Sequence, residues 1–379
     1  MRMIWLCFSL LLMLTACKKN ESDITVPVAP IVQTPPVLNA SFIRAVDLSF
    51  TPEIVGAGTQ FKDNNQVKEL TQIFKDKGIN TIRLRIWHTP VDAHSSLLEV
   101  VDFAKQLSAK GFGIWLDFHY SDTWADPSKQ TKPAAWKNAT GTVLKDSIYQ
   151  YTSKALLAFK NAGVLIKIVQ VGNEVNGGFL WNDGRVGGTY DANWTNYAML
   201  LKEGLRAVKD ADNNTKTMIH FAGVDGADAY YNTVLQLGIS FDYIGLSYYM
   251  IWHGKSLDNI STQLNTLSTH FQKPILIAET AYPFSLAWND NTNNIVGLSS
   301  QLITGYDATV DGQNAYTKAL IDLMKKLPQQ TGMGICWWAP EWVSFRGPIA
   351  TNGSSWENLT LFDFTNNALP ALASLGSYQ

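Results

Sequence analysis

The chain has 379 residues, with 30 Lys and Arg against 32 Asp and Glu and a formal net charge of −2. That balance leaves no electrostatic footprint for a phosphate backbone, so nucleic acid is not an expected partner. Hydrophobic residues at 46% and charged residues at 16% exclude a disordered chain, and 13 Trp, 14 Tyr and 17 Phe can fill a core or line a cleft.

Met1-Arg2-Met3 precedes an apolar run from Ile4 to Ala16. Thirteen residues are too few to span a bilayer, which takes about 20, so residues 1–16 read as a signal peptide. Leu14-Thr15-Ala16-Cys17 resembles a bacterial lipobox, which makes Cys17 the expected lipidation site and first mature residue. Cys7 falls in the removed peptide and Cys336 is then alone, so no intrachain disulfide is expected. Residues 17–40 carry Lys18, Lys19, Pro27, Pro30, Pro35 and Pro36 and read as an extended tether. Glu21 and Asp23 favour the outer membrane and the cell surface as the destination. The folded domain spans residues 41–379.

Strands are expected at Ile43–Ser49, Thr81–Ile86, Gly113–Phe118, Ile168–Val171, Met218–Ala222, Tyr243–Ser247, Ile275–Ala278 and Gly334–Trp338. Helical patterns lie between most of them, at Gln66–Lys77, Ser96–Lys110, Asp146–Asn161 and Ala192–Asp210. Gly78, Gly111 and Gly163 stand where helices end and strands begin. Eight strands alternating with helices imply parallel pairing by crossovers, and eight is the number that closes a barrel. An open doubly wound sheet is disfavoured, because Asp47-Leu48-Ser49-Phe50 stands where its Gly-rich phosphate turn belongs. The fold class is therefore α/β, a single (β/α)8 TIM barrel.

The active face of such a barrel is the C-terminal end of its strands. Glu174 and Glu279 each follow an apolar strand there, the fourth and the seventh, on opposite sides of the ring. Glycoside hydrolysis needs such a pair, one carboxyl to protonate the leaving oxygen and one to attack carbon or activate water. Each could instead be a buried carboxylate held by Arg83 or Arg85. Sugars show apolar faces that suit aromatic platforms and hydroxyls that suit short polar groups. Trp87, Trp124, Trp338 and Trp356 are the stacking candidates. Asp47, His119, Asp122, Asn176, His220, Tyr248, Tyr249 and His253 are polar candidates for the same surface.

Phe42 to Ser49, Arg83-Leu84-Arg85-Ile86-Trp87, the stretch from Leu116 to Pro127, and Gly172-Asn173-Glu174-Val175-Asn176-Gly177-Gly178 resemble glycoside hydrolase family 53, the arabinogalactan endo-β-1,4-galactanases. The likeness runs through Ser247-Tyr248-Tyr249, Ala278-Glu279-Thr280 and Leu361-Phe362-Asp363-Phe364, so it covers nearly all of residues 41–375. It implies endo-hydrolysis of β-1,4-galactan by a retaining double displacement, with Glu174 as acid/base and Glu279 as nucleophile. Asn173 can bind a sugar 2-hydroxyl, and Arg85 can keep the nucleophile ionised. Retention sets the two carboxyls about 5 Å apart. A retaining β-glycanase acting on mannan or glucan, and a non-catalytic surface glycan-binding lipoprotein, are the alternatives.

Two departures stand out. Trp337-Trp338-Ala339-Pro340-Glu341-Trp342 replaces the usual Trp-Glu-Pro-Ala-Trp, which leaves the role of Glu341 open. In the loop that carries a structural calcium in some relatives only Asp290 and Asn294 match, while Trp288 and Thr292 replace ligands. No cofactor is expected for the chemistry. The expected state is a monomer whose partners are the polysaccharide and, through Cys17, a membrane.

Overall fold

The computed structural model describes residues 42–377, so the expected signal peptide, Cys17 and the tether lie outside the described residues. Eight strands close a parallel barrel. We label them β1 (Ile43–Asp47), β2 (Thr81–Ile86), β3 (Gly113–Phe118), β4 (Ile166–Val171), β5 (Lys216–Ala222), β6 (Tyr243–Tyr248), β7 (Ile275–Thr280) and β8 (Gly332–Trp338). Each pairs with its sequence neighbours, and β1 pairs with β8 to close the ring. The TIM-barrel expectation holds.

Helices cover the outside, the longest being Leu97–Ala109, Gly141–Asn161, Trp194–Ala211, Leu257–Phe271 and Val310–Lys325. Their starts follow local chemistry: Ser96, Ser256 and Thr309 accept a backbone N–H of the first turn. Their ends run into Gly78, Gly111 and Gly163 at φ +90°, +79° and +75°, a conformation glycine adopts without a β-carbon clash. The expected helix from Gln66 is shorter. Gln66–Lys68 pairs with Phe61–Asp63 as a hairpin, and the helix is Leu70–Asp76, capped by the Glu69 carboxylate. Among the described residues no helix is long and apolar enough to cross a membrane.

Strand alternation sorts the side chains. One set, including Val46, Ile82, Leu116 and Ile277, packs outward in the large cluster that the helices cover. The other faces the barrel axis. Its floor is apolar, built by Trp115, Ile168, Met218, Leu276, Met333 and Cys336. Nearer the mouth the axis turns polar, with Asp47, Arg83, Asp117, Gln170, His220 and Ser247 all buried.

Candidate active site

A cleft of about 690 Å³ opens at the mouth of the barrel, and Glu174 and Glu279 both line it. Each reaches it through an irregular backbone. Along β7, Leu276 and Ala278 face the axis, so strict alternation would send Glu279 outward. The register against β6 and β8 slips between Ile277 and Thr280, and this bulge turns Glu279 inward too. Alternation then resumes, with Thr280 bonded to Tyr316 of the helical layer at 2.7 Å. At the end of β4, Gly172 has φ +87°, and a β-carbon there would meet Val175 at 2.6 Å. Glu174 itself is left-handed, φ 48° and ψ 55°, which costs a side-chain-bearing residue roughly 1–2 kcal/mol.

Arg83 is the hub. Its Nη1 donates to Asp47 Oδ2 at 2.6 Å, and its Nη2 lies 2.9 Å from Asp117 Oδ2, 2.9 Å from Asn173 Oδ1 and 2.8 Å from Glu279 Oε1. Its Nε donates to Gln170 Oε1 at 3.2 Å. Burial works against this charge, yet the three carboxylates outweigh it and raise the guanidinium well above its usual range. Burial would also raise Asp117, but Arg83 and His119 hold its carboxyl below the usual range.

The two glutamates have different surroundings. Glu279 accepts from Arg83 and, at 3.0 Å, from the Tyr249 hydroxyl, both of which favour its ionised form. Glu174 Oε1 accepts only from Ser247 Oγ, at 2.6 Å. Burial raises both carboxyls, Glu174 to about 8 with Glu279's charge as the second cause, and Glu279 to about 7 against the pull of Arg83. One proton on the pair therefore resides on Glu174. Because Ser247 occupies Oε1, Oε2 is the oxygen left to carry it.

Behind Ser247 stands His220. Its Nδ1 faces Gln170 Nε2 at 2.9 Å and the Glu174 N–H at 3.4 Å, both pure donors. They outweigh the 3.0 Å contact with Asn173 Oδ1, an oxygen that already accepts from Arg83 and Gln170. The ring proton is thus on Nε2, donated to Ser247 Oγ at 2.9 Å. Burial holds the ring well below the usual histidine range, so it stays neutral.

Asp47, Arg85, His119, Trp124, Asn173, Asn176, Tyr249, His253, Trp338 and Trp356 line the cleft. Four expectations meet a different placement. Tyr248 points away, its hydroxyl donating to Gly254 O at 3.1 Å, because position 248 lies on the outward phase of β6. Asp122 accepts from the backbone N–H of Thr89 at 2.9 Å and of Ala134 at 2.7 Å, so it ties loops together outside the cleft. His220 is fully buried behind Ser247 and does not reach the cleft surface. Trp87 stands behind Trp124, donating to His119 Nδ1 at 3.3 Å.

The charge beside the nucleophile candidate is also reassigned. Arg83, not Arg85, holds Glu279. The Arg85 guanidinium is sandwiched by aromatic rings, 4.1 Å from Trp124, 4.6 Å from Trp87 and 4.8 Å from Phe50. Burial lowers it to about 10, so it remains a cation at neutral pH and braces the aromatic wall.

Several lining residues escaped the sequence reading. Trp342 stacks on Phe50 at 4.1 Å, and half-exposed Trp252 lies nearly parallel to Trp356. Asp126 and Ser128 form part of another wall. Loop positions carry no periodicity that would mark them.

Glu341 lies outside the cleft. Its buried carboxyl accepts from Thr51 Oγ1 at 3.0 Å, and burial raises it to about 8, so at neutral pH it is a neutral acid tying the loop after β8 to residue 51. Asp290 and Asn294 are tied into the hydrogen bonds of their own loop. The Asp290 oxygens accept from Thr292 N–H at 2.6 Å, Ser344 Oγ at 3.1 Å and Ser354 N–H at 3.1 Å, three donors that occupy most of its lone-pair positions. Asn294 turns its amide nitrogen to Glu357. Among the described residues no group of three or more His, Cys, Asp or Glu could hold a metal ion.

Residues 43–375 match the family model described as Glycosyl hydrolase family 53. An arabinogalactan endo-β-1,4-galactanase of Cellvibrio japonicus is 36% identical over 93% of this chain and 96% of its own length. The family 53 catalytic domain of Ignisphaera aggregans superposes with a TM-score of 0.83 at 39% identity, covering 91% of this chain and 98% of that one. A fungal β-1,4-galactanase superposes with a TM-score of 0.76 at 29% identity over 89% and 99%.

Proposed function

The chain belongs to glycosyl hydrolase family 53 and is a glycoside hydrolase, and from that premise we propose that it cleaves internal β-1,4-galactosidic bonds of galactan or arabinogalactan with retention. The observation that carries the roles is the contrast between the two carboxyls. Glu279, gripped by Arg83 and Tyr249, is the ionised nucleophile that attacks the sugar carbon. Glu174, protonated on Oε2, gives its proton to the leaving oxygen, then takes one from the water that releases the sugar from Glu279. The substrate reading rests on the galactanase relatives. The Trp338 and Trp252 rings offer stacking faces, with the buried Trp356 ring packed behind them.

Incubation with linear β-1,4-galactan tests the substrate: early appearance of a ladder of oligosaccharides is expected. Cleavage of mannan or glucan instead would keep the two-carboxyl chemistry and discard the sugar, and binding without cleavage would make the protein a glycan binder. Proton NMR of the first product checks stereochemistry, and an initial α anomer would overturn retention.

The pH profile of kcat/KM follows from the same pair. Activity requires one proton, so it should fall below about 7 as Glu279 is protonated and above about 8 as Glu174 loses its own. A rate that stays flat across both limbs would mean that this pair does not control the reaction.

We also propose that the chain is lipid-anchored through Cys17 at the outer membrane, on the strength of the lipobox-like Leu14-Thr15-Ala16-Cys17. Protease shaving of intact cells tests its orientation; full protection would place it in the periplasm.

A further inference from the structure

The left-handed turn at Glu174 has both of its carbonyls held by one side chain, that of Gln130. Gln130 Nε2 donates to Asn173 O at 2.7 Å and reaches Glu174 O at 3.3 Å, the carbonyls on either side of the Glu174 φ and ψ. The same nitrogen lies 3.2 Å from Asp126 O. Gln130 is buried, and its backbone carbonyl accepts the Trp181 backbone N–H at 2.7 Å, so its main chain and its amide nitrogen are both tied. Its segment supplies Asp126, Pro127 and Ser128 to the cleft wall.

We infer that Gln130 is a positioning residue for the acid/base: its amide fixes the aim of the Glu174 carboxyl and ties it to the 126–128 wall of the cleft. Only an uncharged double donor suits the place. A glutamate would face two carbonyl oxygens with more lone pairs, and a lysine would bring a cation beside the acid and favour loss of its proton. The inference rests on the reading of Glu174 as the acid, and it goes beyond that reading by naming what orients the group.

Protonation of the leaving oxygen matters only when the leaving group is poor, so a misaimed acid has a signature that general loss of structure lacks. The experiment compares kcat/KM for dinitrophenyl and phenyl β-galactobiosides in wild type, Gln130→Leu, Gln130→Glu and Glu174→Ala. The Gln130 variants are expected to lose about 10²-fold on the phenyl substrate and no more than about 3-fold on the dinitrophenyl one. Glu174→Ala should show the same pattern more strongly. An equal loss on both substrates in the Gln130 variants, beside a selective loss in Glu174→Ala, would overturn the inference and leave Gln130 a packing residue. An unselective loss in Glu174→Ala would instead sink the acid assignment itself. Should Gln130→Leu fail to fold, the isosteric Gln130→Glu carries the same ratio.

Discussion

Replacing Glu279 by glutamine is expected to lower kcat by roughly 10⁴-fold or more while the melting temperature stays near that of wild type. The amide oxygen can take the place of Oε1 and accept from Arg83 Nη2, while the amide NH2 takes the place of Oε2 and donates to the Tyr249 oxygen, so the packing around it is kept. What disappears is the anionic oxygen that bonds to the sugar carbon. Azide assigns the role. With an activated aryl galactobioside, Glu279→Ala and azide should yield the α-azide, because azide attacks once in place of the carboxylate. Glu174→Ala and azide should yield the β-azide, because the galactosyl-enzyme has already formed on Glu279. Hydrolysis by Glu279→Gln at the wild-type rate would show that another group is the nucleophile.

The second large effect is on stability. Arg83→Met removes the one guanidinium that bonds Asp47, Asp117 and Glu279 in the barrel interior. Uncompensated buried charge costs about 3–5 kcal/mol, which lowers the melting temperature by roughly 10 °C in a domain of this size. The pH dependence has a definite sign. In wild type Asp117 is held below its usual range, so its contribution is present above the unfolded pKa and lost as pH falls through the folded value. In Arg83→Met the stranded carboxyls titrate above their unfolded values, so the variant gains stability as pH falls. The gap between the two proteins should therefore narrow from pH 7.5 towards pH 5, measured by thermal melts. Arg83→Lys keeps one charge but not the planar fork, and should lie between them. A melting temperature for Arg83→Met within about 2 °C of wild type would remove Arg83 from the centre of the fold.

The barrel was legible because its strands are apolar runs separated by helical patterns and glycine stops, and these signals are local. The polar strand ends were legible for the same reason. Which of two neighbours faces the axis was not. Arg83 and Arg85 share a face of β2, and only the heights of Asp47, Asp117 and Glu279 decide which guanidinium meets them. Tyr248 and Tyr249 look equivalent until the end of β6 fixes the phase. Glu279 would face outward by simple counting, and it is the bulge in β7 that brings it in. Asp122 reads as a ligand for hydroxyls, yet two backbone N–H groups of surrounding loops claim it.

Closure of the ring by β1 and β8 also orders the assembly of the protein in time. Thr51 and Glu341 meet across 290 residues, and Arg83 and Glu279 across 196. Contacts so distant in sequence form late, because the loops they close are long. The acid near residue 174 can be made early, but its partner waits for the seventh strand and the seal for the eighth. A chain released from the ribosome before residue 332 therefore lacks the last stave and holds its buried charges without a wall. The catalytic pair and the buried charges thus depend on one closing event, the pairing of β8 with β1.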